Sequence, residues 1–180
     1  MVRSIKSGFA LGCLYLFGSI PAHAATTNVT ANITDGSCEV IIPNSTLTFD
    51  NKMAYEFSFA MKTVELQQIN IELNCVGTAG AAPVLNITGD SVGLADTRLF
   101  RSGNSEAKGV GFMLKEGKVS DLSGFYTASG TVAPGGAVNI SQAEGISTQE
   151  FTVGLVRGAD EAIPTVGAIR AKISFTFAYP

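Results

Sequence analysis

From residue 169 onward the chain alternates. Odd positions carry Ile169, Ala171, Ile173, Phe175, Phe177 and Tyr179; even positions carry Arg170, Lys172, Ser174, Thr176 and Ala178. Successive side chains of a strand point to opposite faces, so this run predicts a strand with one buried side. The same period recurs upstream. Ile69, Ile71, Leu73 and Cys75 share one face of INIELNC, Val110, Phe112 and Leu114 one face of GVGFMLK, and Phe151, Val153 and Leu155 one face of FTVGLVR. Shorter strand-like runs cover residues 29–33, 38–42, 47–49, 84–88 and 137–140. Turn formers stand between them: Pro43-Asn44, Asp50-Asn51-Lys52, the loop 77–83, Gly89-Asp90 and Ala133-Pro134-Gly135-Gly136. No long stretch repeats at i, i+3, i+4; only residues 53–60 suggest a brief helical turn.

Many short strands between turn signals read as an all-β sandwich of Ig-like type, and 180 residues suit one domain. Composition agrees, with 20 glycines, no tryptophan and only 15% charged residues. A net charge of −3 argues against nucleic acid or an anionic membrane as the main partner.

Residues 1–24 form a separate object. Arg3 and Lys6 precede an apolar run from residue 9 to residue 20, then Pro21 and the triplet Ala22-His23-Ala24. A basic start, a short apolar core and an A-x-A site predict a Sec signal peptide cleaved after Ala24. Leu11-Gly12-Cys13 loosely resembles a lipobox, but little apolar sequence precedes it. Cleavage removes two bases and no acid, which takes the formal charge from −3 to −5. It also removes His23, the only histidine, and Cys13. Cys38 and Cys75 are left, and two cysteines in an exported chain point to one disulfide. A metal or redox pair would need closer spacing or histidine partners.

Without histidine, Ser-His-Asp and Cys-His catalysis and histidine-based zinc or copper sites are excluded. There is no P-loop and no dinucleotide fingerprint. Carboxylates such as Asp90, Asp96, Glu106, Asp160 and Glu161 lie among Gly, Ser and Thr, where solvated turns are the ordinary explanation. The reading is therefore non-enzymatic, with no catalytic, cofactor or metal residues assigned.

The two ends of the exported chain belong together. Residues 25–37 also alternate, with Thr27, Val29, Ala31 and Ile33 on one side and Asn28, Thr30, Asn32 and Thr34 on the other. A cysteine follows this arm, with its partner at Cys75. Tyr179 is penultimate, and Gly167 stands fourteenth from the C-terminus. In these features the chain resembles the pilin subunits of chaperone–usher fimbriae. The resemblance implies an incomplete Ig-like sandwich over residues 38–180 that lacks its final strand and is completed by donor-strand complementation. It implies that Thr27, Val29, Ala31 and Ile33 are donated to a neighbour. Gly167, Ile169, Ala171, Ile173, Phe175, Phe177 and Tyr179 would line the acceptor groove and meet the chaperone. The implied partners are a periplasmic pilus chaperone, an outer-membrane usher and neighbouring pilins, with a host receptor reached through a surface fimbria. The arm departs from the family in carrying Ala31 where a glycine is usual. Single-domain tip adhesin or adaptor, and a self-complete extracellular Ig-like binding domain, are the competing readings.

Overall fold

The computed structural model describes residues 37–77, 83–140 and 145–178. The donor positions Thr27, Val29, Ala31 and Ile33 and the terminal Tyr179 lie outside them.

The described residues form nine strands in chain order: β1 (Ser37–Ile41), β2 (Thr63–Val76), β3 (Val84–Gly89), β4 (Leu99–Phe100), β5 (Val110–Glu116), β6 (Thr131–Val132), β7 (Ala137–Asn139), β8 (Gly145–Arg157) and β9 (Ile173–Ala178). The expected helical turn is a single 3-10 turn, Ala54–Phe57. One sheet has the order β1-β2-β8-β5-β4, with β6 also paired to β5; the other has the order β7-β3-β9. All these ladders are antiparallel.

The predicted inward faces meet between the sheets. Ile71, Leu73, Phe112, Leu114, Phe151 and Val153 project from the first sheet against Leu85, Ile87 and Val138 of the second. Burying such side chains supplies about 1.5–3 kcal/mol each and holds the sandwich together. Cys38 and Cys75 are bonded and stand directly opposite each other in the β1–β2 ladder.

The first sheet is buried on its outer face as well. Met113, Val156 and Leu99 form a second small core beneath Phe125 and Tyr126. Gly154 makes room for the Phe125 ring, because a Cβ there would overlap it. The Tyr126 hydroxyl donates to Asp96 and accepts from Arg98 Nη2 at 2.6 Å and from the Ala159 amide at 2.9 Å. Burial and the bond to Asp96 push that hydroxyl up to about 12. Burial alone would raise the Asp96 carboxyl, but the bonds from Arg98 and Tyr126 outweigh it and hold the group below its ordinary value.

Two strands run further than their patterns predict. β2 begins at Thr63, ahead of the alternating INIELNC, and β8 begins at Gly145, ahead of FTVGLVR. In contrast, residues 47–49 are extended but belong to no strand, and β9 begins at Ile173 rather than near residue 167.

Candidate functional site

Among the described residues the last strand is paired on one side, with β3. The register there runs from Val84↔Ala178 to Gly89↔Ile173. Beyond Gly89 the neighbour is the loop 102–107. Ser102 and Glu106 donate backbone N–H groups to the carbonyls of Arg170 and Ala168, each at 2.8 Å, and Ala107 adds a bond to Ala168 at 3.1 Å. The Ser105 hydroxyl donates to the Arg170 carbonyl at 2.9 Å and accepts from the Arg170 amide at 3.0 Å, standing in for a strand neighbour. A loop in place of a ladder is the physical reason that residues 168–172 are extended without being strand.

Gly167 starts this segment at φ 147, where side chains are disfavoured. A Cβ would stand 2.7 Å from the Glu106 Cβ and 2.8 Å from the Ala107 amide nitrogen. The glycine thus permits the close approach that the bonds to Ala168 require.

Along residues 169–175 no described residue pairs with the other edge of the last strand. The inward side chains there tell the same story. Ile169, Ala171, Ile173, Phe175 and Phe177 pack against the main core, yet each is only half-buried. Their neighbours Leu85 and Ile87 on β3 are 0% exposed. Among the described residues, none covers the core beneath residues 169–175.

Lining the same groove is the segment 42–49, with Ile42, Leu47 and Phe49 half-buried. Its strand partners, too, are absent among the described residues. Between the two walls runs a groove floored by Ile69, Phe112, Leu114 and Val153, with a cavity of about 350 Å³. A second cavity of about 700 Å³ continues it past Leu47, Phe49 and Ile169 to Met53 and Val166. Phe49 lies 5.1 Å from Phe112 and Phe175 lies 5.4 Å from Phe151, centroid to centroid, so ring contacts brace both walls. Such a groove offers one row of backbone hydrogen-bonding groups and a line of apolar hollows at strand spacing, the two things an added β-strand uses.

Sequence reasoning had no sign of Arg101. It is 6% exposed, and its guanidinium bonds the carbonyls of Val92 (2.6 Å), Ser105 (2.9 Å) and Ala107 (2.6 Å). It thereby shapes the loop that holds residues 168–170. An arginine in RSGNSE reads as surface, and only its depth in the fold reveals the role. Among the described residues, no group of three or more His, Cys, Asp or Glu is placed to hold a metal ion.

Among the described residues this is an all-β sandwich with an apolar groove beside its last strand. A family model described as "Fimbrial protein" matches residues 27–180, and the chain belongs to that family. Its fold is similar to the P pilus rod subunit PapA, at 14% identity and TM-score 0.52, over 86% of this chain and 100% of that one. It is also similar to the CupB6 tip adhesin of Pseudomonas aeruginosa, at 18% identity and TM-score 0.52, over 69% of this chain. The match spans 33% of that adhesin. The antigen and type I fimbria protein BPSL1626 of Burkholderia pseudomallei matches at 16% identity and TM-score 0.49, over 80% of this chain and 99% of that one. No curated protein matches.

Proposed function

We propose that this fimbrial protein is a structural subunit of a chaperone–usher fimbria, polymerised by strand donation. The observation that carries the reading is the contrast between half-buried Ile169, Ile173 and Phe175 and fully buried Leu85 and Ile87 on the adjacent strand. A sandwich with its full set of strands would bury both. The family membership and the pilin-like fold support the same conclusion.

In this reading residues 1–24 direct export and are removed. A periplasmic chaperone lends a strand to the groove, and at the outer-membrane usher residues 25–37 of the next subunit replace it. Thr27, Val29, Ala31 and Ile33 are the inserted side chains. Val29 and Ile33 contribute about 1.5–3 kcal/mol each when buried. Ala31 asks for a hollow one methyl larger than glycine would. The product is a surface fimbria that contributes to adhesion, with any host receptor met through the fibre.

The test uses residues 25–180, oxidised, with thermal unfolding recorded alone and with a peptide copying residues 25–37. A cooperative transition at clearly higher temperature with the peptide is expected. A stable monomer indifferent to the peptide would sink the reading and favour a self-complete binding domain.

A further inference from the structure

Among the described residues, the oxidisable sulfur that meets solvent is thioether. Cys38 and Cys75 are bonded to each other, so neither offers a free thiol to an oxidant. Met113 is 0% exposed, in the outer core. Met53 and Met61 are the contrast, at 62% and 46% exposed, on the one loop that also exposes Tyr55 and Phe59.

Met53 is held in place from both sides. Before it, the Glu65 carboxylate of β2 accepts from the Asp50 amide at 3.1 Å and pairs with Lys52 at 3.0 Å. After it, Phe57 is buried in the main core. Between these anchors the Met53 amide donates to the Glu56 carboxylate at 2.6 Å, and the Met53 carbonyl accepts from the Glu56 amide at 3.0 Å. The side chain so placed lines the larger cavity of the groove, together with Phe57, Pro164, Val166 and Ile169. Met61 lines neither of the groove's two cavities. The loop thus carries two exposed thioethers, one at the groove and one away from it.

We propose that Met53 is an oxidation site that controls the groove, its sulfoxide and a strand in the groove opposing each other. The control rests on the strand-donation reading above; the oxidation site itself does not. The reactant is a peroxide. The thioether lone pair attacks one peroxide oxygen and the O–O bond breaks. The departing hydroxide takes the proton left on the new S–O group and leaves as water. Sulfur gives up two electrons and the peroxide gains them. The product turns a pliable apolar side chain into a polar one. In the open groove the new oxygen meets water. Under a covering strand it is enclosed beside Phe57, Pro164 and Val166, and a polar group buried without a partner is costly. Lys52, which also lines this cavity, is already engaged by Glu65. Linkage supplies the converse: a strand that covers Met53 shields its sulfur from the oxidant.

The experiment treats residues 25–180, disulfide intact, with hydrogen peroxide and locates the added oxygen by peptide mass spectrometry. It is run with and without the 25–37 peptide, which itself contains no sulfur. In the chain alone Met53 and Met61 should react and Met113 should be spared. The peptide should slow the reaction at Met53 about fivefold or more and leave Met61 unchanged. In a binding titration the sulfoxide form should take the peptide about tenfold more weakly than the reduced form. Met53→Leu should abolish this effect of peroxide, and Met61→Leu should retain it. Protection absent at Met53, or shared equally with Met61, would overturn the proposal, as would equal affinity of the two forms. A Met53 that stays unoxidised while Met61 reacts would remove the site itself. A reduced chain that ignores the peptide would instead fault the strand-donation reading, and the control would fall with it. The protection measurement uses the native chain, so it decides the question should a variant fail to fold.

Discussion

Arg101 shows how far one side chain can act. Its forked guanidinium meets three carbonyls at different angles, and the loop it gathers satisfies one edge of residues 168–170. Lysine carries the charge but not the fork. Arg101→Lys is therefore expected to lower stability by about 1–3 kcal/mol, the cost of leaving buried carbonyls unbonded, and to weaken peptide uptake, both read by thermal unfolding. Tyr126 gives a second prediction at this scale. In the unfolded chain its hydroxyl titrates near 10, and in the folded chain near 12. Its contribution is whole below pH 10 and is lost as pH rises through about 12. Over that window wild type should lose about 2–3 kcal/mol that Tyr126→Phe does not. Denaturant midpoints measured from pH 9 to 12 would reveal it, and parallel curves for the two proteins would refute it.

At the scale of the element, β3 and the last strand make a controlled comparison. Ile87 and Phe175 are register partners, one fully buried and one half-buried. Ile87→Ala should cost about 2–5 kcal/mol with or without the 25–37 peptide. Phe175→Ala should cost less than the usual 3–5 kcal/mol in the chain alone and reach that range once the peptide is bound. Equal costs in both states, measured by chemical denaturation, would mean that the groove is already covered. The last strand was legible in the sequence because its alternation is long and its inward residues are large. The first half of β2 was not. A register shift between Thr63 and Glu65 puts Val64 against the main core, whereas Leu66 packs into the small outer core, so the two-residue period breaks there. The first half of β8 is polar and half-exposed, with Ser147 and Gln149 held by pairing with Leu73 and Ile71 rather than by any pattern of their own. β5 shows alternation hidden by burial on both faces, since Met113 serves the outer core as fully as Phe112 and Leu114 serve the inner one. The groove's inward row could be read from the chain, but its opposite wall could not. Residues 47–49 look like a strand, and what marks the site is that they pair with no strand among the described residues.

At the largest scale, the described residues form a sandwich of two sheets with a groove beside the last strand. On the proposed strand donation, stability is a property of the occupied groove, and its apparent value depends on how much partner is present. The position of the disulfide then acquires a mechanical meaning. If residues 25–37 join neighbours as proposed, tension along a fibre enters each subunit just ahead of Ser37 and reaches Cys38 at once. The covalent link hands the load to Cys75 at the far end of β2, before β1 can be stripped from its neighbour. From there the pull runs along β2 and is resisted by its twelve register pairs with β8. Those pairs are loaded in shear, so they must fail together and not one at a time as in peeling. A single crosslink at the root of the arm thus turns a fraying end into a tension member.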